Sequence, residues 1–329
     1  MNNIDKQRIF LLGRFHLGTD ESRINSNILK SLQSCYDVVA VDYDNVVFRK
    51  VIKILQCDIV FICSNSEINI GVVRLAHFFK KKIIYLIHSE KSYEENIRIT
   101  TDRALEKSID ILLSKADKVI CTSLKMKALL SEKKLLDAEK ITVVYDYVDF
   151  EKLTVGVSIC GLREEQVLST KDGTKMKDNS QVARAIFDLD PKMKYYVIGQ
   201  SEVNREIIEK FPNVVLYDHL SKKEIYKFMQ TSTIYLENNS YHVFGIDALE
   251  ALYLGCDLLL SYDVEALELF SNLTNDDILY NTRDIEEIER KIQHLKEKGN
   301  NERLRQGINW DDVTSKSQIK KIQQIISEG

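Results

Sequence analysis

Short, almost continuously apolar runs recur along this chain with amphipathic stretches between them, and this alternation restricts the fold more than any other feature. The first half contains the runs RIFLLG, YDVVAVD, CDIVFIC, KIIYLIH, KVICTS and KITVVYD, which begin at Arg8, Tyr36, Cys57, Lys82, Lys118 and Lys140. Strands that are apolar on both faces are typical of a parallel sheet, and amphipathic stretches such as SRINSNILKSLQS can cover it as helices. The pattern therefore predicts an α/β fold built on a parallel sheet.

The same pattern begins again in the second half of the chain. The runs there are EEQVLST, KYYVIG, NVVLYD, TIYLEN and CDLLLS, and the helical stretches between them are NSQVARAIFDL, NREIIEKF and KKEIYKFMQ. A chain of 329 residues is too long for one average domain and fits two of about 150 residues. We therefore predict two doubly wound, Rossmann-like domains at residues 1–155 and 156–310, followed by a helical segment at 311–329.

Charge and composition exclude several classes of protein. The 46 Lys and Arg residues against 50 Asp and Glu residues give a net charge of -4, which argues against a nucleic-acid binder that relies on a global basic field. No window approaches the roughly 18 apolar residues of a membrane span, and the polar start MNNIDKQR is not a signal peptide. The six cysteines are scattered without a C-x-x-C pair, so we expect reduced core residues in a cytoplasmic protein.

The predicted architecture also says where a ligand should bind. In open parallel sheets ligands bind beyond the carboxyl ends of the strands, where loops lead into helix N-termini. The free N–H groups and partial positive charge of a helix N-terminus hold phosphates well. Two such domains facing each other across a cleft would place one anion site on each wall, which is typical of a two-substrate transferase.

One stretch in the second half carries a specific motif. The segment YHVFGIDALEALYLGCDLLLS, from Tyr241 to Ser261, reads as a strand end, a glycine turn, a helix, a second glycine and a strand. Its part HVFGIDALE resembles the donor-site motif of retaining glycosyltransferases with the GT-B fold, especially glycosyltransferase family 4. That motif is Glu-x7-Glu with Phe-Gly inside it. Phe244, Gly245 and Glu250 match the pattern, whereas His242 replaces the first glutamate.

The resemblance implies a role for each matching residue. Glu250, expected in the first helical turn, would accept hydrogen bonds from the ribose hydroxyls of a nucleotide-sugar, and the backbone of Gly245 and Ile246 would approach the sugar and diphosphate. A surface helix with a glutamate would explain Glu250 alone but not the whole run. At His242 an imidazole can hydrogen-bond a sugar or phosphate but cannot imitate the negative charge of a carboxylate. A modified site and a site that has lost activity are both open.

Further segments match the family in order over most of the chain. KIIYLIHSEKSYEENIRI resembles the strand that ends in an active-site histidine, here His88, and the loop that follows it carries Glu94. STKDGTKMKDNSQVARAI resembles the loop whose basic residues neutralise the donor diphosphate, here Lys175 and Lys177, and Arg163 is a weaker alternative. Lysines near a helix start are often only solvated, so this match is less specific.

The two ends of the chain complete the resemblance. LGRFHLGTDESRINSNILKSL supplies a loop with Gly13 and Gly18, where relatives bring donor or acceptor close to the backbone, although two glycines are a weak signal. INWDDVTSKSQIKKI resembles the closing segment, in which the terminal helix packs back toward the first domain. The run Lys80–Lys82 is interpreted as a solvated helix end. Peripheral membrane contact stays open, because many relatives act on lipid-linked acceptors.

Three hypotheses follow from these matches. The first is a retaining glycosyltransferase of surface polysaccharide or glycoconjugate synthesis, which transfers a sugar from a nucleotide-diphosphate sugar to a glycan, lipid-linked or protein acceptor. It would need no metal or cofactor, since helix N-termini and lysines replace the cation. The second is a catalytically weak GT-B protein that acts as the partner subunit of an active glycosyltransferase. The third, a nucleotide-sugar epimerase, would need more acid and base residues than the sequence places.

Overall fold

The computed structural model describes residues 7–16, 20–43, 48–87, 103–134, 136–154, 163–170, 179–199, 210–238 and 244–328. The chain divides into two compact units, Met1–Asp146 with Ser315–Gly329, and Tyr147–Thr314. The division falls before the boundary that we predicted after residue 155, because the ring of Phe150 packs against Tyr253 and Trp310 of the second unit, with ring centroids 4.9 and 5.8 Å away.

The first unit is built on a parallel sheet of six described strands in the order β2-β1-β3-β4-β5-β6. The strands are β1 Arg8–Gly13, β2 Asp37–Asp42, β3 Ile59–Ile62, β4 Lys82–Ile87, β5 Lys118–Cys121 and β6 Ile141–Val143. The α-helices described in this unit are α1 Asp20–Gln33, α2 Phe48–Val51, α3 Ile68–Phe78, α4 Arg103–Lys115, α5 Leu124–Lys134 and, near the end of the chain, α12 Ser315–Ser327. The central strands β1, β3 and β4 are almost entirely buried, as continuous apolar runs require.

The second unit repeats this plan with six described strands in the order β12-β11-β10-β7-β8-β9, all parallel. The strands are β7 Glu164–Thr170, β8 Lys194–Ile198, β9 Val214–Tyr217, β10 Ser232–Glu237, β11 Asp257–Ser261 and β12 Ile278–Leu279. The α-helices described here are α6 Phe150–Thr154, α7 Ser180–Leu189, α8 Lys222–Thr231, α9 Ile246–Tyr253, α10 Ile285–Lys298 and α11 Asn301–Gln306.

All eleven strands predicted from the apolar runs are present, so the α/β prediction with two doubly wound sheets is confirmed. The additional strand β12 is two residues long, which is too short to leave a periodic signal. Of the six cysteines, Cys160 lies outside the described residues, and four of the other five are buried. Within the described ranges, no helix is long and apolar enough to cross a membrane.

The interpretation of the lysine run between α3 and β4 as a solvated helix end is correct for Lys80 but wrong for Lys82. Lys80 is exposed, but the Nζ atom of Lys82 donates to the carbonyl oxygens of Ile325, Ile326 and Glu328 at 2.8, 2.9 and 3.0 Å. These carbonyls form the carboxyl end of α12, where a cation is favoured by the helix dipole. Partial burial lowers the pKa of Lys82. Lys82 therefore caps the terminal helix within the first unit.

Candidate active site

The order of strands in the second unit creates a switch point between β7 and β10. The chain runs outward from β7 through β8 to β9, and then returns to place β10 on the other side of β7. The chain continues from β7 to β8 on one side and from β10 to β11 on the other, so the carboxyl ends of β7 and β10 lie at a topological switch point. Open α/β sheets bind ligands beyond the strand ends at such switch points. Thr170 ends β7, Glu237 ends β10, and α9 begins after the next loop.

The Phe-Gly pair shapes the entry to α9. Phe244 is only 4% exposed, and its carbonyl oxygen accepts a hydrogen bond from the Ala266 N–H at 2.9 Å. Gly245 has a left-handed conformation, with φ +85° and ψ 42°, and an added Cβ atom would lie 2.7 Å from Cγ1 of Val264. A residue with a side chain would be strained and crowded there. The loop itself therefore requires the glycine, whatever ligand it binds.

Glu250 lies in the interior of the unit, and its carboxylate contacts Tyr226 and Lys222. Its side chain is 4% exposed. Atom Oε1 accepts a hydrogen bond from the Tyr226 hydroxyl at 3.0 Å, and Oε2 contacts Nζ of Lys222 at 2.9 Å. The sequence predicted Glu250 in the first helical turn. Helix α9 begins at Ile246, however, so Glu250 is the fifth helical residue and lies in the second turn. The acidic residue of the first turn is Asp247.

Asp247 connects this helix to the ends of the strands, and sequence reasoning missed it. Its Oδ1 atom contacts Nζ of Lys222 at 2.6 Å, and its Oδ2 atom accepts a hydrogen bond from the Thr170 hydroxyl at 2.8 Å. Residues three apart on a helix share a face. The three-residue spacing of Asp247 and Glu250 is therefore the sequence signal that could have identified Asp247 as a site residue. We call Lys222, Tyr226, Asp247 and Glu250 the carboxylate cluster.

A chain of hydroxyl groups extends from the carboxylate cluster along the strand ends. The hydroxyl oxygens of Thr170 and Tyr235 are 2.6 Å apart, and Tyr235 donates to Oε2 of Glu237 at 3.0 Å. Burial, with the adjacent Glu237 carboxylate, raises the pKa of the fully buried Tyr235 well above its ordinary value. Tyr235 therefore stays protonated at neutral pH and fixes Glu237 at the end of β10.

Lys222 is the more exposed partner of the two carboxylates. Its side chain is 34% exposed, and it is the first residue of α8, whose start is fixed by a capping box between Ser221 and Glu224. An ammonium group held between two carboxylates suits a ligand that offers hydroxyl donors, whereas the carboxylates repel phosphate. Any diphosphate must therefore be held by other groups.

The start of α7 lies at the same edge of the sheet. The side-chain oxygen of Asn179, which precedes α7, accepts hydrogen bonds from the Tyr195 hydroxyl at 3.1 Å and from Nδ2 of Asn238 at 2.7 Å. Tyr195 lies near the start of β8, and Asn238 directly follows the end of β10. The contact with Asn238 places the first N–H groups of α7 beside the carboxyl end of β10, where an anion can be bound.

The structure places the predicted donor-site residues as follows. Phe244, Gly245, Ile246 and Glu250 lie together at the entry and on the first two turns of α9. His242, Lys175 and Lys177 lie outside the described residues, so their roles stay predictions. Arg163 was the weaker alternative as a diphosphate ligand, and the structure contradicts it. Its guanidinium bonds the carbonyl oxygens of Met229, Ser232 and Leu254, at the edge where the strands begin.

In the first unit, Gly13 ends β1 at the corresponding switch point between β1 and β3. An added Cβ atom at Gly13 would lie 3.2 Å from Cβ of Cys63 and 3.3 Å from Nδ2 of Asn25. The same amide donates to the Ser64 hydroxyl at 2.9 Å, so the loops after β1 and β3 pack closely. Packing accounts for this glycine, and its contact with a ligand stays a prediction. Gly18, His88 and Glu94 lie outside the described residues.

Among the described side chains, no group of three or more His, Cys, Asp or Glu could hold a metal ion. Residues 171–178, with Lys175 and Lys177, and residues 239–243, with His242, lie outside the described residues. Independence of a metal therefore stays a prediction.

Two doubly wound units, the second with a carboxylate at its switch point, define a Rossmann-like protein built to bind a ligand beyond its strand ends. Two family models match the chain. The model described as Glycosyltransferase Family 4 matches residues 42–152, and the model described as Glycosyl transferases group 1 matches residues 161–309. The chain belongs to the family 4-like glycosyltransferases with the GT-B fold.

Solved structures of several enzymes share the fold over nearly the whole chain. HepE of Anabaena in complex with UDP-glucose has a TM-score of 0.73 at 13% identity, with 98% of this chain and 100% of that chain covered. Sucrose-phosphate synthase of Thermosynechococcus elongatus has a TM-score of 0.71 at 12% identity, with the same coverage. UDP-GlcNAc 2-epimerase of Neisseria meningitidis, with 13% identity and the same coverage, reaches 0.59. A search of curated proteins finds no match.

Proposed function

We propose that this glycosyltransferase transfers a sugar from a nucleotide-diphosphate sugar with retention of configuration, and that the donor binds at the switch point of the second unit. The observation that carries the proposal is Glu250, a buried carboxylate whose two oxygens are held in place by Tyr226 and Lys222. The neighbouring structure of HepE, which contains UDP-glucose, supports a donor of this class.

The proposed roles follow the chemistry of each group. Glu250 accepts hydrogen bonds from the ribose hydroxyls, because a carboxylate is the strongest acceptor for a diol. The start of α7, with Lys175 and Lys177, holds the diphosphate. The backbone of Gly245 and Ile246 lies against the sugar, and the His242 imidazole hydrogen-bonds the sugar or a phosphate.

The first unit is proposed to bind the acceptor, which is a glycan, a lipid-linked sugar or a protein. His88 directly follows the apolar strand β4 in the sequence and is the proposed catalytic residue on this side, together with Glu94. Gly13 and Gly18 are the proposed points of close approach. The charge that develops on the diphosphate is neutralised by helix N–H groups and lysines, so the reaction requires no metal.

The test begins with a thermal-shift screen of uridine, guanosine, adenosine and cytidine diphosphates and their sugars. A ligand at 100 times its dissociation constant stabilises the folded state by about 2.7 kcal/mol, which such a screen detects. Transfer from the selected donor is then followed by nuclear magnetic resonance with and without a chelator. We expect the anomeric configuration of the donor to be kept and the rate to be unchanged by the chelator.

Other outcomes would contradict the proposal. Inversion would refute the retaining mechanism, and turnover that a chelator abolishes and manganese restores would refute metal independence. Donor binding without transfer, with activity appearing only on addition of a partner glycosyltransferase, would identify the catalytically weak subunit. Release of an epimerised nucleotide-sugar without an acceptor would identify an epimerase.

We also propose that the first unit contacts an anionic membrane surface through the edge of its sheet where β3 and β4 begin. Its apolar patch consists of Ile52 and Leu55 before β3 and Phe78 and Phe79 at the end of α3, all exposed, with Phe78 at 77%. Nζ of Lys81 donates to the carbonyl oxygen of Leu55 at 3.2 Å, which joins the two segments.

Three lysines complement the apolar patch: Lys53 and Lys80 are exposed, and Lys81 is partly exposed. Asp58 lies at this edge too, but its carboxylate accepts the backbone N–H of Arg8 at 2.8 Å. Exposed aromatic side chains with neighbouring lysines favour the interface of an anionic bilayer, where each lysine contributes about 1 kcal/mol.

Vesicle sedimentation tests this surface. We expect the protein to sediment with phosphatidylglycerol vesicles and not with phosphatidylcholine vesicles, and raised salt should release it. The double substitution Phe78→Ser and Phe79→Ser should lower the bound fraction about tenfold. The matched control is Leu124→Ser, since Leu124 is a 56% exposed apolar residue elsewhere in the same unit. Equal loss in the control, or no binding by the wild type, would contradict the proposal.

A further inference from the structure

We propose that Lys222 determines the preference of the donor site for an intact ribose by fixing the carboxylate of Glu250. This inference rests on the proposed function and goes beyond it, because Lys222 and its two carboxylate contacts were not part of the sequence motif. Lys222 is thus a positioning residue that acts on the ligand through Glu250.

The contacts of the carboxylate cluster hold the Glu250 carboxylate in one orientation. A carboxylate that recognises the two neighbouring hydroxyls of a ribose must present both oxygens in one fixed plane. Tyr226 holds Oε1 at 3.0 Å, and Lys222 holds Oε2 at 2.9 Å. A carboxylate accepts up to about four hydrogen bonds, and the contacts with Tyr226 and Lys222 occupy one position on each oxygen.

Lys222 is itself held in position by a second carboxylate, that of Asp247. Its ammonium contacts Oδ1 of Asp247 at 2.6 Å, and Oδ2 of Asp247 accepts from the Thr170 hydroxyl at 2.8 Å. Lys222 therefore links Glu250 to the end of β7. A free surface lysine would gain little from one exposed carboxylate, but here the Glu250 side chain is only 4% exposed, so its carboxylate is shielded from water although Lys222 is 34% exposed.

The charges of the carboxylate cluster also determine which part of the donor it favours. Two carboxylates around one ammonium accept hydroxyl donors and disfavour a phosphate, so this part of the site suits the ribose rather than the diphosphate. Without Lys222, the Glu250 carboxylate loses its counter-charge and keeps only Tyr226 of the two donors identified above. The loss should therefore affect ligands that carry ribose hydroxyls and not ligands that lack them.

Calorimetric titration with two matched ligands tests this. The ligands are whichever of the uridine, guanosine, adenosine and cytidine diphosphates binds the wild type most tightly, and the 2′,3′-dideoxy analogue of that nucleotide. We expect the wild type to prefer the ribose form by tenfold or more, a ratio expected from charge-assisted hydrogen bonds. Lys222→Met should remove most of that preference while binding the dideoxy analogue as the wild type does. Lys222→Arg should restore part of it.

The neighbouring residue supplies the matched control. Lys223 is exposed on the same helical turn, so Lys223→Met removes the same charge and should leave the preference unchanged. In the background of Glu250→Gln, Lys222→Met should have no further effect on the ratio, because both act through one contact. With the sugar donor, Lys222→Met should raise KM and leave kcat nearly unchanged. If Lys222→Met does not fold, Asp247→Asn removes the second anchor of Lys222 and should lower the same ratio.

Three results would overturn the inference. One is an unchanged ratio in folded Lys222→Met, and another is equal weakening of both ligands, which a general structural or electrostatic role would produce. If no nucleoside diphosphate binds the wild type, the proposed function fails together with this inference. An unchanged ratio with normal binding overturns the role of Lys222 alone.

Discussion

Glu250→Gln is expected to weaken binding of the donor nucleotide by about 10- to 100-fold while the protein stays folded. Charge-assisted hydrogen bonds contribute about 1.5 to 3 kcal/mol each, and the amide loses the charge at both acceptor positions. One end of the amide also becomes a donor, which Lys222 or the Tyr226 hydroxyl, at 2.9 and 3.0 Å from the carboxylate, would face unfavourably. Lys222 keeps its contact with Asp247 at 2.6 Å, so the cluster retains a partner for the ammonium.

The measurement is calorimetric titration of wild type and variant with the selected nucleoside diphosphate. Glu286→Gln is the matched control, because Glu286 is an exposed glutamate on helix α10 of the same unit. The control should bind as the wild type does. Unchanged affinity in Glu250→Gln would remove this residue from the donor site and leave its burial as a purely structural feature.

The second large effect is expected from Gly245→Ala, which should destabilise the second unit and impair donor binding together. The left-handed φ of +85° strains any side chain, at about 1 to 3 kcal/mol, and the new Cβ atom would lie 2.7 Å from Cγ1 of Val264. Relief of that overlap must shift the loop or the neighbouring side chain, which adds about 1 to 3 kcal/mol. We expect the free energy of unfolding to fall by about 2 to 6 kcal/mol.

The chain offers a matched control for this substitution as well. Gly71 lies in helix α3, and an added Cβ atom there meets nothing within 4 Å. Gly71→Ala should therefore be neutral or stabilise the protein by up to about 1 kcal/mol, because alanine is the better helix former. The two variants are compared by denaturant unfolding, with donor binding measured beside it. Equal stability in both would show that the loop relaxes around Gly245 without cost.

The fold was predictable because its strongest signals are local. Each central strand is a continuous apolar run, so β1, β3 and β4 could be marked from the sequence without knowledge of their neighbours. The order of the strands depends on pairing across the sheet, and β12, with two residues, depends on its pairing with β11. These features have no periodic pattern to reveal them.

The site was predictable only in part, because contacts between distant segments leave no local pattern in the sequence. The run Phe244-Gly245 and Glu250 is contiguous, so a motif could identify it, although the motif alone did not show that the loop itself requires the glycine. Lys222 lies 28 residues before Glu250 and meets it only when α8 packs against α9. Arg163 was assigned to the site wrongly. A basic residue near a strand suggested phosphate binding, but the structure places Arg163 at the edge where the strands begin.

A crystal structure of the protein with its bound nucleoside diphosphate would show directly whether Glu250 holds the ribose. We expect the 2′- and 3′-hydroxyl oxygens at about 2.6 to 3.2 Å from the Glu250 carboxylate, with the contacts to Lys222 and Tyr226 retained. The diphosphate should lie beside the start of α7. A ribose bound elsewhere, with neither hydroxyl near Glu250, would refute the proposed donor site.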